Sequence, residues 1–276
     1  MTRRTRPRPN GLRQSPRAGI EGDGKKPVRG PQGGPSLRPR GTVEPQYQHC
    51  LDVQKETGFA RFGYMSNQMW HEDPKKILFN LARYKFVAKM LKGRQAVLEV
   101  GCGDAFFSRM VRQEVGALTA VDIDGIFVDD ANAHQDPRWP ITCFVHDLVE
   151  RPVPGVFDGA YSLDVLEHID PRDERRFLGH LVASLAPTGV LVIGTPSLES
   201  QRHASPISKA GHVNCKTQQQ LETLLGSFFH NVFSFSMNDE VVHTGFAAMA
   251  HYLFAVCCTP RSVPVGGSRC LARNRA

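Results

Sequence analysis

The sequence lacks any apolar stretch long enough to cross a membrane as a helix. Its longest apolar run, residues 247–258, has about twelve residues and contains His251, whereas a membrane-spanning helix needs about 20. Arginines near the N-terminus are not followed by an apolar segment, so the start of the chain does not resemble a secretory signal. These absences argue against a membrane-spanning or secreted protein and favour a cytoplasmic one.

The seven cysteines lack the pattern of a disulfide framework or a structural zinc site. Their number is odd, they are scattered, and none forms a Cys-x-x-Cys pair. Cys257 and Cys258 are adjacent within an apolar run, which is typical of buried thiols. Cysteine usage therefore predicts a reducing compartment, in agreement with a cytoplasmic protein.

Positive charge is scarce in the middle of the chain, although the chain as a whole is basic. Residues 1–45 carry eleven Lys or Arg and three Asp or Glu, whereas residues 46–260 carry 19 and 24, a net charge of −5. The Arg/Pro/Gly-rich segment 1–45 and the basic segment 260–276 are predicted to be disordered tails around one domain, 46–259. Residues 1–45 contain no aromatic residue for base stacking. RNA binding through this tail stays an alternative, but it is not favoured.

Strand and helix patterns alternate along the predicted domain, which indicates an α/β fold with a mostly parallel sheet and helices on both faces. Helices are predicted from apolar residues at three- and four-residue steps, and strands from short apolar runs. The predicted helices are Pro74–Leu91, Ala105–Glu114, Ile126–Ala133, Pro171–Leu185 and Thr217–Leu225, with Thr217 as a helix cap. The predicted strands are Ala96–Val100, Leu118–Val121, Ile141–Val145, Gly159–Leu163, Val190–Gly194, Val232–Ser236 and Ala248–Cys257.

The stretch VLEVGCGDAFF, residues 97–107, combines a strand, a glycine turn and the start of a helix. Gly101 and Gly103 would let the backbone approach a ligand closely. A dinucleotide site would have a third glycine where Phe106 stands, and Glu99 and Asp104 would repel a pyrophosphate. The turn therefore argues against a nicotinamide enzyme and favours a ligand with a cationic part.

The ends of the next strands supply further carboxylates. Asp122 ends the second strand, 19 residues after Gly103, where an acid can accept hydrogen bonds from both hydroxyls of a ribose. Asp147 follows the third strand, where it can accept from an adenine amine while His146 or Leu148 packs on the ring. Asp164 follows the fourth strand and would reach the same edge. The pattern predicts a cleft of adenosine size.

Five segments in this order resemble the class I S-adenosylmethionine-dependent methyltransferase family, in particular its type 11, 12 and 23 groups. These segments are EVGCGDA, Asp122, HDL, LDVLEHI and LAPTGVLVIGTPS, and the resemblance covers residues 74 to 258. It implies a Rossmann-like, doubly wound sheet of seven strands whose last strand, Ala248–Cys257, inserts antiparallel. It also implies S-adenosylmethionine as the cofactor, whose sulfonium and ammonium groups suit an acidic pocket.

The resemblance implies a set of cofactor-binding residues. Glu99 and the backbone of Gly101–Gly103 would hold the methionine portion, and Arg83 would reach its carboxylate. The full predicted set is Arg83, Glu99, Gly101, Cys102, Gly103, Asp104, Asp122, Ile123, His146, Asp147, Leu148 and Asp164.

The run DVLEHI is similar to an acid-x-x-Glu-His cluster of some metal-assisted methyltransferases. Those enzymes have Glu where this chain has Asp164, and the same run occurs in members without metal, so no metal is predicted here. His168 would then close over the cofactor as a candidate catalytic residue. In GHVNCKT, His212 and Asn214 either border the acceptor, with His212 as a candidate general base, or stabilise the turn and cap the following helix.

Three further residues are candidates for acceptor binding. Tyr64 and Trp70 belong to GYMSNQMWHEDP, which forms either a lid over the cofactor or an apolar cover without a ligand. His243 lies in a polar loop that either reads the acceptor or is a solvated turn. We therefore predict a methyltransferase for a hydroxyl of a small metabolite, sugar or lipid-linked intermediate. The alternatives are an RNA methyltransferase and a non-catalytic binding or regulatory protein on the same fold.

Overall fold

The computed structural model describes residues 41–262 of the 276-residue chain. These residues divide into two compact units between Phe59 and Ala60. The first unit contains helix α1 (Gln48–Thr57), and every strand described below belongs to the second. Most of the two predicted tails lies outside the described residues, so the boundaries near residues 45 and 260 stay predictions.

Five parallel strands form the first part of the sheet, and their spatial order is β3-β2-β1-β4-β5. Val100 pairs with Val121 of β2 and with Ser162 of β4, so the carboxyl ends of these strands meet at one edge. The strand order changes direction at β1 and β4, which is where such sheets bind ligands. The strands are β1 (Ala96–Val100), β2 (Ala117–Asp122), β3 (Thr142–Val145), β4 (Phe157–Leu163) and β5 (Leu185–Pro196).

Antiparallel strands complete the sheet, as the family resemblance implied. Strand β8 (Tyr252–Pro260) inserts between β5 and β6 (Phe229–Asn238), antiparallel to both. The predicted count of seven strands misses one, because a short edge strand, β7 (Val241–His243), pairs with the end of β6. The last strand also begins at Tyr252 rather than Ala248, because residues 247–249 form a 3₁₀ turn.

Helices lie at every position where the sequence predicts one, although their bounds differ by up to three residues. Helix α4 is shorter than predicted, because Ala105 has a φ of 53° and cannot belong to a helix. Helices α1, α2 and α7 have no counterpart among the predicted helices. Within residues 41–262, no helix is both long and apolar enough to span a membrane. The helices of the second unit are α2 (Tyr64–Glu72), α3 (Lys75–Met90), α4 (Ser108–Arg112), α5 (Gly125–Ala133), α6 (Glu174–Ala183), α7 (Pro206–Gly211) and α8 (Gln218–Gly226).

The core covers both faces of the sheet. Successive side chains of a strand point to opposite faces, and accordingly Val97 and Leu98 belong to two different apolar clusters. One cluster contains residues of α3 and α4, the other residues of α6 and α8. Because both faces are covered, the carboxyl edge of the sheet is the place left for a ligand.

We expect Thr217→Ala to destabilise the protein by about 1 kcal/mol, because it removes a helix cap. The Thr217 hydroxyl accepts a hydrogen bond from the Gln220 amide, and Gln220 Oε1 accepts one from the Thr217 amide. Urea unfolding would measure the change in free energy. The control is Thr223→Ala in the same helix, an exposed position where the change stays within about 0.5 kcal/mol. Equal effects of both substitutions would contradict the capping role.

Candidate functional site

The turn after β1 has a backbone conformation that favours glycine. Gly101 and Gly103 have φ angles of 81° and 51°, a region that residues with a Cβ rarely adopt. A Cβ on Gly101 would also overlap the side chain of Val165. Cys102, between the glycines, is buried, and its thiol lies 3.6 Å from the carbonyl oxygen of Gly103. A backbone without side chains at these positions can approach a ligand closely.

Asp122 joins this glycine turn to the end of β2. Its Oδ2 accepts a hydrogen bond of 2.8 Å from the Gly103 amide, and its Oδ1 accepts one of 3.0 Å from the Asp124 amide. Each carboxylate oxygen can accept a second hydrogen bond, and the residue is partly exposed. Asp122 is therefore held by the backbone while it can still accept from two neighbouring hydroxyls, as binding of a ribose requires.

Apolar side chains are exposed where β2 and β3 end. Ile123, Ile126 and Val145 are 69%, 54% and 53% exposed, and exposed apolar surface of this kind often marks a binding site. Beside it, Asp147 accepts a hydrogen bond of 2.8 Å from the Val149 amide and is partly exposed. Apolar surface next to a carboxylate suits an adenine ring with its exocyclic amine.

His146 and Leu148 lie beneath this surface rather than on it. They are 6% and 4% exposed. The Nε2 of His146 lies 3.0 Å from the carbonyl oxygen of Arg151, and its amide donates to the Asp122 carbonyl. Both side chains thus support the ends of β2 and β3, and their contact with the adenine ring stays a prediction.

Glu99 is buried under the glycine turn and is 1% exposed. Its Oε1 accepts a hydrogen bond of 2.8 Å from the hydroxyl of Tyr84. Burial raises the pKa of Glu99 to about 7, while the hydroxyls of Ser108 and Tyr161 act in the opposite direction. The carboxyl group thus lies close to the turn that would hold the methionine portion, but direct contact with a cofactor stays a prediction.

Asp104 contacts helix α2. Its Oδ2 accepts hydrogen bonds of 2.8 Å from both the amide and the hydroxyl of Ser66, and its Oδ1 accepts one from the Phe106 amide. The residue is 8% exposed. Its carboxylate therefore holds protein segments together, and the predicted direct role in cofactor binding stays a prediction.

Arg83 and Asp164, predicted as separate cofactor ligands, are paired with each other. The Nη1 of Arg83 lies 3.0 and 2.8 Å from the two carboxylate oxygens of Asp164. The guanidinium also stacks over the ring of Tyr252, 3.8 Å from its centroid. Asp164 has a φ of 56°, a conformation that Asp tolerates better than most residues. The pair lies at the carboxyl end of β4, beside the glycine turn.

Glu167, His168 and His212 bring one ligand atom each to within 4.8 Å of one another. The Nδ1 of His168 lies 2.9 Å from the Gly211 carbonyl oxygen, and the Nδ1 of His212 lies 2.8 Å from Gln201 Oε1. Because both partners are acceptors, each Nδ1 carries a proton. The Nε2 of each imidazole is thereby the nitrogen that can act as an electron-pair donor when the ring is neutral. Glu167 is fully buried, and among the described residues its Oε1 has no hydrogen-bond partner. We refer to these three residues as the Glu-His-His cluster.

Two pKa shifts follow from the surroundings of this cluster. Burial and the negative charge of Asp164 raise the pKa of Glu167 to about 8. Burial and the neighbouring His168 lower the pKa of His212. The lowered pKa favours the neutral form of His212, and a nearby cation would stabilise the ionised form of Glu167.

Asn214 and His243 are engaged in protein contacts. Asn214 is 6% exposed and binds Glu174 through Nδ2 and Lys216 through Oδ1, at 3.0 and 2.8 Å. Both ring nitrogens of His243 are used within its own hairpin, one by the Gly245 amide and one by Asn238. The structure explains both residues as stabilisers of their turns, while their roles in acceptor binding stay predictions.

Tyr64 and Trp70 lie on α2 and are 58% and 48% exposed. The Trp70 ring packs against Phe62, with ring centroids 5.6 Å apart, and Phe62 packs against Phe106 in the segment after the glycine turn. The lid predicted from the sequence is therefore a helix connected to the turn by aromatic contacts. Contact of either side chain with an acceptor stays a prediction.

Comparison with known proteins identifies the family to which this site belongs. A family model described as a methyltransferase domain matches residues 69–228, more than half of the chain. The chain belongs to the S-adenosylmethionine-dependent methyltransferases. S-adenosylmethionine is the cofactor, and the glycine turn, Asp122 and the apolar surface after β2 and β3 fit its three parts.

The similar proteins of known sequence include methyltransferases of several kinds. A mitochondrial ubiquinone biosynthesis O-methyltransferase of Schizosaccharomyces pombe is 27% identical over 187 residues, 63% of this chain and 66% of that protein. An uncharacterised methyltransferase of Mycobacterium bovis is 33% identical over 112 residues, 39% of this chain and 55% of that protein. The chain thus spans slightly less than two thirds of the first relative and about half of the second.

Solved structures of similar fold are also methyltransferases. The N-methyltransferase NodS from Bradyrhizobium japonicum, in complex with S-adenosyl-L-homocysteine, has a TM-score of 0.52 and 20% identity, and the match covers 70% of this chain and 91% of NodS. The methyltransferase domain of bacterial CtHen1 has a TM-score of 0.56 and 18% identity, with 66% and 100% covered. At these identities the likeness concerns the fold alone.

Several residues of the methyltransferase site have no signal in the sequence. Tyr84 and Tyr161, which surround Glu99, look like ordinary core residues of a helix and a strand. Gln201, which orients His212, lies in a short 3₁₀ helix, Glu199–His203, for which the sequence has no recognisable motif. Arg83, next to Tyr84 on α3, is the residue from which the sequence predicts that this helix reaches the site.

We expect the stability of the methyltransferase to depend on pH through Glu99. Its pKa is about 7 in the folded protein and about 4.5 when unfolded, so the folded state keeps the proton longer. Relative to Glu99→Gln, the wild type should therefore lose about 3 kcal/mol of unfolding free energy between pH 4.5 and pH 7. Urea unfolding of both proteins across this range measures the difference. A difference that does not change with pH would show that Glu99 titrates normally.

Proposed function

We propose that this protein transfers the methyl group of S-adenosylmethionine to a hydroxyl group of a small molecule bound at the Glu-His-His cluster. The observation that carries the proposal is the convergence of Glu167, His168 and His212 at the carboxyl edge of the sheet. Val165, immediately before the turn that contains Glu167, contacts Gly101 of the glycine turn. The cluster and the cofactor turn are therefore neighbours, as direct transfer between two bound molecules requires.

The chemistry of the cluster favours a hydroxyl acceptor. A hydroxyl is a weak nucleophile until it loses its proton or is polarised. The lowered pKa of His212 keeps its imidazole neutral near pH 7, so it can accept that proton. The hydrogen bonds of His168 to Gly211 and of His212 to Gln201 hold both rings with Nε2 available.

We further propose that the cluster can hold a divalent cation, whereas the sequence predicts a site without metal. One buried carboxylate oxygen and two imidazole nitrogens are ligands that such ions accept, and Glu167 Oε1, which has no hydrogen-bond partner among residues 41–262, would gain a ligand bond. A bound divalent ion would occupy the Nε2 of His212 and would itself polarise the acceptor hydroxyl, so it is an alternative to proton transfer to His212. Thr195 donates to the other oxygen of Glu167, at 3.0 Å, and thereby orients the carboxylate.

Three further considerations support a small acceptor and a cytoplasmic location. The names of two relatives describe O-methyltransferases of ubiquinone biosynthesis, which supports a hydroxyl. The acidic middle of the chain disfavours a nucleic-acid partner, and an RNA acceptor would depend on a tail that is mostly outside the described residues. All six cysteines among the described residues are free thiols, which supports a reducing compartment.

The test of the acceptor class is transfer of a labelled methyl group from S-adenosylmethionine to panels of small hydroxyl, amino and thiol compounds and to RNA. Labelling of hydroxyl compounds alone supports the proposal. Labelling of RNA that disappears when residues 1–45 are deleted would favour the RNA alternative instead. Cofactor binding without transfer to any acceptor, while His168→Ala leaves all properties unchanged, would favour the non-catalytic alternative.

We expect Asp122→Ala to weaken binding of S-adenosyl-L-homocysteine by about 1–3 kcal/mol, because a charge-assisted hydrogen bond to the ribose is lost. Isothermal titration calorimetry measures the affinity. The matched control is Asp129→Ala, an exposed carboxylate on α5 that should leave binding unchanged. Unchanged affinity in the Asp122 variant would remove this residue from the cofactor site.

We expect the protein to bind one Mn²⁺ at the cluster, and His168→Ala or His212→Ala to weaken this binding at least about tenfold. Binding should tighten between pH 6.5 and 8.5, because Glu167, with a pKa of about 8, must lose its proton to bind the ion. Electron paramagnetic resonance of free Mn²⁺ measures both effects. His203→Ala, an exposed histidine nearby in the sequence, is the control. Equal Mn²⁺ binding by all variants would show that the ion does not bind at the cluster. Activation of the acceptor hydroxyl would then be left to the imidazoles alone.

A further inference from the structure

Helix α2 begins without a side-chain cap of its own. The residue at its N-cap position is Gly63, which has no side chain to accept from the first amides of the helix. Asp104, from the turn after β1, supplies the missing acceptor, because its Oδ2 lies 2.8 Å from the Ser66 amide. A carboxylate at this end of a helix is also favoured by the helix dipole.

The fit between Asp104 and the start of α2 is close. Oδ2 also accepts from the Ser66 hydroxyl at 2.8 Å, and the Gly63 amide donates to the oxygen of that hydroxyl at 2.9 Å. A Cβ on Gly63 would overlap the side chain of Asp104. Because the φ of Gly63 is −80°, which any residue adopts, the glycine is needed for this space and not for its conformation.

The docked helix covers the glycine turn. A Cβ built on Gly103 would lie 2.5 Å from the Sδ of Met65, so the Met65 side chain lies directly on that residue. The Tyr64 amide donates to Asp130 of α5 at 3.1 Å, which connects the start of α2 to the next helix around the site. Aromatic contacts of Phe62 with Trp70 and Phe106 add a third connection.

We propose that Asp104 is a positioning residue that docks α2 over the methionine end of the bound cofactor, where Met65 provides the apolar contact. Asp122, proposed to bind the ribose, accepts from the amide of Gly103, and Met65 contacts the same residue. This inference depends on the cofactor part of the proposed function and not on the acceptor.

The experiment compares the affinities of two ligands that differ only at the methionine end. S-adenosyl-L-homocysteine contains the amino-acid part, whereas 5′-methylthioadenosine keeps the adenosine and the sulfur without it. Asp104→Ala should weaken binding of S-adenosyl-L-homocysteine about tenfold, the size expected for a lost charged hydrogen bond. Binding of 5′-methylthioadenosine should change less than about twofold. Calorimetry of both ligands gives this ratio.

A second variant separates docking of α2 from the shape of the glycine turn. Asp104 also accepts from the Phe106 amide within the turn, so its removal affects both. Gly63→Ala should displace α2 from Asp104, because the added Cβ overlaps the Asp104 side chain, and it changes no residue of the turn. It should show the same selective loss of affinity for S-adenosyl-L-homocysteine. Hydrogen exchange of residues 64–72 should accelerate in both variants. Glu72→Gln, at the exposed end of α2, should change neither the affinities nor the exchange.

The possible results are distinct. If the wild type binds neither ligand, the cofactor part of the proposed function fails. If the wild type binds both ligands and Asp104→Ala lowers the two affinities equally, Asp104 only shapes the turn, and its proposed role in docking α2 is wrong. If Gly63→Ala leaves the ratio of the affinities unchanged while its exchange accelerates, α2 does not cover the methionine end.

Discussion

The carboxylates at the strand ends repel one another, and each is held in place by a different donor of the protein. The hydroxyl of Tyr84 donates to Glu99, backbone amides donate to Asp122, and Arg83 pairs with Asp164. Without these donors, several carboxylates at one edge of a sheet would be unfavourable, because neighbouring like charges and burial both disfavour the ionised form. These partners position the acids for a cationic cofactor before it binds.

The two halves of the site use their acids differently. On the cofactor side, Asp122 is partly exposed and fixed by amides, so its oxygens can accept from hydroxyls. On the acceptor side, Glu167 is fully buried, and the pKa of its carboxyl group is raised to about 8. An exposed carboxylate such as Asp122 is suited to hydrogen bonds with the hydroxyls of a neutral sugar. A buried one such as Glu167 is stabilised most by a bound cation or by a shared proton.

Much of the fold and of the cofactor side could be predicted from the sequence, because local patterns determine them. The apolar strands and the glycines at 101 and 103 gave the parallel sheet and its turn, and Asp122 lies where its spacing from Gly103 indicated. The contacts of Asp104 could not be predicted, because its partner Ser66 is 38 residues earlier in the chain. The role of Gln201 likewise depends on a contact between its 3₁₀ helix and His212, eleven residues later in the chain, which no local pattern determines.

The substitution of Asp for Glu at position 164 explains why the cluster has three members. Asp is one methylene shorter than Glu, and here its backbone is in the left-handed region, with a φ of 56°. Both of its carboxylate oxygens are bound by Arg83, which in turn stacks on Tyr252. Asp164 is thereby withdrawn from His168 and His212 and acts on Glu167 only through its charge, which raises the pKa of that residue. Arg83 therefore links the two halves of the site, because its pairing with Asp164 limits how negative the acceptor side becomes.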